Sequence, residues 1–296
     1  MAKVDARGPP SGPLAALKSR KPRCRGMRSF PALASILALV LAGCSMPEEA
    51  PAPSSLTFTS DGSSISGPSQ AEEGWTRIVF VNDGPGIDQA ALYRLDADRG
   101  VEEFRAALAL GEAPSWAVAA GGVAGAMPGA RAVALVQLEP GTHVVGSFIP
   151  GADGVPGAAK GLLASFDVVG REGPLPREPT SDAEMTMVDF GYNASALGKG
   201  MHSVRVANEG SQPHEAVLVA LAPGADVEAF LAAMGPGAEG PPPGAVVGGL
   251  APIAPGGHGY IELELAEGGH AWICFVEDPA SHAPHFALGM TDPFQA

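Results

Sequence analysis

The chain has 296 residues, 46% of them hydrophobic, with 40 glycines, 29 prolines and a formal net charge of -14. Residues 44–296 alone carry 10 Lys/Arg against 31 Asp/Glu, about -21, because the first 43 residues are basic. Such acidity excludes nucleic acid as a partner and adhesion to anionic lipid by charge, while the length allows two domains of ordinary size.

Lys18 to Arg28 read KSRKPRCRGMR, and an uncharged, largely apolar run from Ser29 to Leu41 precedes Ala42-Gly43-Cys44. A basic flank, a short apolar core and small residues before the cut form the pattern of an export signal over 1–43, and the core is too short to span a bilayer. Leu41-Ala42-Gly43-Cys44 resembles the bacterial lipobox. That resemblance implies that Cys44 is lipidated and becomes the mature N-terminus. It implies a lipid anchor in the cell membrane or outer membrane, with the protein facing the periplasm or the exterior. Residues 44–55, rich in Pro, Ser and Glu, then suit a flexible tether.

Strand signals begin near Leu56. Short β-type runs bounded by turn residues occur at 76–81, 132–136 and 143–149, and again at 203–206, 216–219, 260–265 and 271–276. In Tyr260–Leu265, Ile261, Leu263 and Leu265 share one face and both glutamates the other. Residues 171–183 read as a linker. Each set holds one helix candidate, Val101 to Leu110 and Val227 to Met234, the second with Asp226 as N-cap. Strands with one inserted helix and no strand–helix alternation predict an all-β antiparallel sandwich.

The two sets repeat one pattern. Asn82-Asp83-Gly84 corresponds to Asn208-Glu209-Gly210, and Val101-Glu102-Glu103-Phe104 to Val227-Glu228-Ala229-Phe230, each 126 residues apart. Gly121-Gly122 matches Gly248-Gly249, and Gly141-Thr142-His143 matches Gly268-Gly269-His270, with the spacing grown to 127. A nearly constant offset predicts an internal duplication, 56–170 and 184–296.

Of three cysteines, Cys24 leaves with the signal and Cys44 carries lipid, so Cys274 stands alone in an oxidising compartment. A solitary thiol there is either buried and inert or held by a metal. His214 precedes one strand, Cys274 lies near the end of another, and Pro284-His285 with Gly289-Met290 follow in the closing segment. A thiolate, two imidazoles and a thioether form a donor set that accommodates both Cu(I) and Cu(II).

On Asn208 through His214, the strand carrying Cys274, and Pro284-His285 with Gly289-Met290, the chain resembles the cupredoxin family, in its plastocyanin-like branch. The resemblance implies two tandem Greek-key β-sandwiches and makes His214, Cys274, His285 and Met290 copper ligands in the second. Ten residues separate Cys274 from His285, more than the family's electron carriers place there, and His282 within them is the reserve ligand. Carrying the ligand positions into the first copy gives Asp88, Ser147, Gly157 and Leu162, a set that cannot hold a soft metal. His202, His258 and His270 read as surface strand or turn residues.

Other chemistry is not evident. No Gly-rich phosphate loop, His-Glu-x-x-His or Gly-x-Ser-x-Gly elbow is present, and no residue asks to be called catalytic. Two functions follow: a membrane-anchored copper protein for one-electron transfer or copper binding, with a redox or envelope partner, or a metal-free interaction module of the envelope.

Overall fold

Runs of β-branched and apolar residues, cut short by glycine and proline, form seventeen strands and two α-helices among the described residues. The computed structural model describes residues 49–110, 114–151, 153–235 and 240–296. The expected export signal and Cys44 lie outside them. In chain order the strands are β1 (Ser54–Ser60), β2 (Ile65–Ser66), β3 (Gln70–Glu72), β4 (Gly74–Asn82) and β5 (Asp88–Leu95). Helix α1 (Val101–Leu108) precedes β6 (Ala117–Ala126), β7 (Arg131–Leu138), β8 (Gly141–Gly146) and β9 (Leu163–Val169). The series continues with β10 (Ala183–Val188), β11 (Gly191–Ala194), β12 (Gly200–Asn208) and β13 (His214–Leu221). Helix α2 (Val227–Met234) then leads to β14 (Gly244–Ile253), β15 (His258–Leu265), β16 (Gly269–Ile273) and β17 (Thr291–Gln295).

These strands make two sheets, ordered β11-β10-β12-β15-β7-β4-β1-β2 and β17-β16-β13-β14-β6-β5-β8-β9-β3. The protein is an all-β sandwich whose core lies between them. Phe58 and Phe80 from one sheet share one buried cluster with Leu92, Phe166, Leu218 and Trp272 from the other, each no more than 2% exposed. Burying such a side chain contributes about 1.5–3 kcal/mol. Antiparallel pairs β7–β15 and β6–β14 carry both sheets across from the N-terminal strands to the C-terminal ones, within one unit spanning Pro47–Ala296.

Both helices start where expected. Asp226 accepts a hydrogen bond from Ala229 N at 2.8 Å, and the Gly100 N–H donates to Glu103 Oε2 at 2.9 Å. Phe104 and Phe230 are their fully buried anchors.

Four expectations need adjusting. The sheets are mixed rather than purely antiparallel, since β1–β4, β10–β12 and β3–β9 pair in parallel. The runs 143–149 and 271–276 leave their sheets early, at Gly146 and Ile273. Past those points the backbone serves a 3-10 turn instead: Ser147 O accepts from Ala158 N at 2.6 Å, and Cys274 O from Phe286 N at 2.9 Å. Structure also begins before Leu56, since β1 starts at Ser54 and Pro51 O accepts from Arg177 N at 2.8 Å. His270 is buried rather than on the surface, its ring stacked on Phe294. Its Nδ1 lies 3.0 Å from Gly268 O.

A bulge in β13 aims the residues that matter. The register with β14 shifts between His214 and Ala216, leaving Glu215 unpaired in the ladder. The strand opposite accommodates this through Gly249, at φ +131°, where a Cβ would lie 2.0 Å from Ala216 O.

Candidate metal centre

Three ligand-type side chains converge beyond one end of β13 and β16. His214 is the first residue of β13, Cys274 follows the last residue of β16, and His285 opens the 3-10 turn His285–Leu288. One nitrogen from each ring and the Cys274 sulfur lie within 4.8 Å of one another, all three residues fully buried. His214 Nδ1 is 3.0 Å from His285 Nδ1, and Cys274 Sγ is 3.4 Å from His285 Nδ1.

The ten residues between Cys274 and His285 form a closed excursion. Glu277 and Pro284 bridge antiparallel, Asp278 N donates to Ala283 O at 2.9 Å, and His285 N donates to Val276 O at 2.8 Å. His285 is thereby returned beside the sulfur. His282, at the tip with φ +55°, is exposed and is not part of the cluster. Met290 is fully buried behind the same turn. Its carbonyl accepts from Cys274 N at 3.3 Å, and its N–H donates to His285 O at 2.9 Å.

Each imidazole is gripped on its far nitrogen. His214 Nε2 lies 2.6 Å from Asp189 Oδ1, and His285 Nε2 lies 3.2 Å from Gln212 Oε1. Phe190 covers both rings, its centroid 4.8 Å from that of His285 and 6.3 Å from that of His214. The sequence offered Gln212 a place inside the Asn208–His214 segment, but Asp189 stands 25 residues upstream with no local signal.

Electrostatics follow burial. Desolvation pushes the Cys274 thiol well up, with the Glu215 charge adding to it, so a thiolate here needs a neighbouring cation. Burial, then the charge of His214, lowers His285 to about 4, which keeps its ring neutral. Burial lifts Glu215 to about 7 while its Oε1 accepts from Phe275 N at 2.9 Å. The Ser211 hydroxyl foremost holds Asp189 down at about 2, as the charged form.

A metal fits this donor set. Two nitrogens each about 2.0–2.1 Å from one ion lie roughly 3–3.4 Å apart, and the observed Nδ1–Nδ1 distance of 3.0 Å is of that size. Both Nε2 atoms face acceptors, so a neutral ring at either position turns its Nδ1 lone pair inward, where a metal ion would accept both.

The other pole of the sandwich repeats the backbone without the ligands. Ser147 N donates to Leu162 O at 3.0 Å and Leu162 N to Gly157 O at 3.0 Å, as Cys274, Met290 and His285 do in the site. Phe148 N donates to Gln89 Oε1 at 2.7 Å, as Phe275 N does to Glu215. A Cβ on Gly157 would sit 2.7 Å from Leu162 Cδ1, so leucine occupies that space. Asp88, at the start of β5, accepts from the Ser60 hydroxyl.

No family model and no curated protein matches the chain. Among solved structures, it is similar to a reduced auracyanin from the photosynthetic bacterium Roseiflexus castenholzii at 22% identity and TM-score 0.27. That match spans 38% of this chain and 93% of that one. It is also similar to a copper nitrite reductase from Nitrosomonas europaea at 12% identity and TM-score 0.22, over 82% and 93% of the two chains. A copper-containing nitrite reductase from Thermus scotoductus gives 11% identity and TM-score 0.22, over 83% and 62%.

Proposed function

We propose that this chain is a lipid-anchored, cupredoxin-like protein of the cell envelope with one type 1-like copper site, serving one-electron transfer or copper binding. The observation that carries the reading is the buried convergence of His214, Cys274 and His285. A soft thiolate favours Cu(I), the imidazoles accommodate Cu(II), and one fixed shape serves both states. His214 Nδ1, His285 Nδ1 and Cys274 Sγ would hold the ion, with Met290 as the weak fourth donor. Bound copper supplies the one-electron couple. The chain fixes the two rings on a strand and a closed turn, excludes water with Phe190, and keeps reorganisation small. The resemblance at Asn208–His214 and Pro284–Met290 supports this fold assignment.

Residues 56–170 would be a second copy of the same domain with its pole filled, a spacer or docking partner for 184–296. The repeated hydrogen bonds at Ser147, Gly157 and Leu162 support that reading. The same bonds favour a second function, a metal-free envelope module, because this pole forms without any ligand. Titration of the full chain with Cu(II) decides between them. An intense visible band abolished in Cys274→Ser is expected, and a flat wild-type spectrum would favour the metal-free module. For the anchor, Cys44→Ala is expected to move the protein from the membrane to the soluble fraction. Unchanged membrane attachment would remove the lipoprotein reading.

A further inference from the structure

Imidazole ligands bind through whichever nitrogen is left without a proton, and the partner on the other nitrogen sets which one that is. A carboxylate only accepts hydrogen bonds. The 2.6 Å contact from Asp189 Oδ1 therefore requires the His214 proton on Nε2. Asp189 is itself fixed, since Ser211 N donates to it at 3.0 Å and the Ser211 hydroxyl donates to Oδ2.

The same logic reaches His285 through one intermediate. Gln212 Nε2 donates to Asp278 Oδ1 at 2.9 Å, so its oxygen must be the atom that faces His285 Nε2. Turning the amide over would set oxygen against a carboxylate and NH2 against an N–H. Asp278 is held in turn by Ser281, whose N–H and hydroxyl donate to Oδ2 at 2.8 and 2.7 Å. Asn208 Nδ2 donates to Gln212 O at 2.8 Å and anchors the loop.

We infer that Asp189 and Gln212 are the positioning residues of this site, each holding one ring with its proton on Nε2 and its Nδ1 lone pair turned toward the ion. The inference rests on the copper reading only for the identity of the ion. With both Nε2 protons held outward, the two Nδ1 atoms 3.0 Å apart share at most one proton in the metal-free site, and an ion that displaces it binds both lone pairs. The Asp189 carboxylate strengthens His214 as a donor.

The test is nitrogen-15 NMR of the histidine rings in the full chain, metal-free and loaded with Zn(II), with Zn(II) affinity measured by chelator competition. Protonated Nε2 on both rings is expected with and without zinc. Asp189→Asn, whose amide can offer an N–H to Nε2, should move the His214 proton to Nδ1. Gln212→Met should mix the His285 tautomers. Each should weaken zinc about 10–100-fold. A wild-type ring protonated on Nδ1 but not on Nε2 overturns the inference, whatever the variants do. So does a folded Asp189→Asn or Gln212→Met protein that keeps the wild-type tautomers and affinity. If Asp189→Asn fails to fold, the wild-type spectrum and Gln212→Met decide. Failure of the copper reading looks different: the expected tautomers, but no Cu(II) binding.

Discussion

Leu250 stands opposite Val123 in the pairing of β14 with β6, 127 residues away in sequence. Ile261 stands opposite Ala134 in the pairing of β15 with β7, at the same separation. Residues 127 apart thus face each other at the centre of both sheets. Neither sheet has a free edge at that junction. Heating the full chain is expected to give one cooperative transition, with calorimetric and van't Hoff enthalpies equal. Two resolved transitions would show that the N- and C-terminal parts melt independently. Residues 184–296 alone would bare β14 and β15 as unpaired edges, so they are expected to self-associate.

The repeated sequence pattern was legible because it lies in residues whose roles are local. Asn82 and Asn208 each tie a turn, with Nδ2 bonds of 2.8 Å to Gly86 O and Ala126 O in one case and to Gln212 O and Ile253 O in the other. The alternation in β15 and the Asp226 cap are local too. What decides the site is long-range. Nothing in the composition of 275–284 tells that His285 N closes back on Val276 O, and nothing near Asp189 in sequence places it against His214. A polar residue such as His270 in a short strand reads as solvent-facing, whereas its ring stacks on Phe294. Glu215 is a charged residue that local sequence gives no reason to bury. Its burial in a bulge, bonded to Phe275 N, accounts for the position, which Gln89 fills in the other pole.

Asn82→Ala and Asn208→Ala separate stability from site geometry. Each removes a buried amide making three hydrogen bonds, the third accepted from Gly84 N or Gly210 N at 2.9 Å. A loss of about 2–4 kcal/mol in denaturant unfolding is expected for both. Only Asn208→Ala should also weaken metal, because its loop carries Ser211 and Gln212. Equal metal affinity in the two folded variants would show that the loop needs no such anchor.

His143 sets an acid limit on stability. Burial foremost lowers its pKa in the folded state, opposed by its contact with Gly141 O at 3.2 Å. The unfolded ring titrates near the ordinary value of about 6.5. Between the two values the unfolded chain binds more protons, so stability is complete above pH about 6.5 and falls as pH drops through that range toward the folded value. His143→Gln is expected to flatten the decline in Tm between pH 7 and pH 5. A decline as steep as that of wild type would assign it to other groups.

Gly210→Ala places a Cβ 2.4 Å from Asp189 Oδ1 and 2.6 Å from His214 Nε2. The pair cannot keep its 2.6 Å contact beside that methyl group. Metal affinity is expected to fall about tenfold or more. Gly198→Ala, with nothing within 4 Å of its new methyl, is the control and should leave affinity unchanged. Unchanged affinity in Gly210→Ala would mean that Asp189 yields to the methyl without disturbing His214.

The filled pole of residues 56–170 fixes the stoichiometry. Asp88, Ser147, Gly157 and Leu162 offer neither imidazole nor sulfur, and the Leu162 side chain occupies the volume that a side chain at Gly157 would need. One copper per chain is therefore expected, lost in Cys274→Ser. It should be retained in His282→Asn, because His282 is exposed and outside the cluster, and asparagine tolerates its left-handed φ. Ser147→Cys supplies a thiol at the equivalent position but no ring beside it, so the double variant Ser147→Cys/Cys274→Ser should develop no visible band. Point substitutions are the appropriate probe, since deleting 56–170 would strip the pairing from β14 and β15 and confound ligand loss with edge exposure. Equilibrium dialysis against Cu(II) with metal analysis gives the count. A second equivalent of comparable affinity that survives in Cys274→Ser would place a site in the first pole and overturn the correspondence of Ser147 with Cys274.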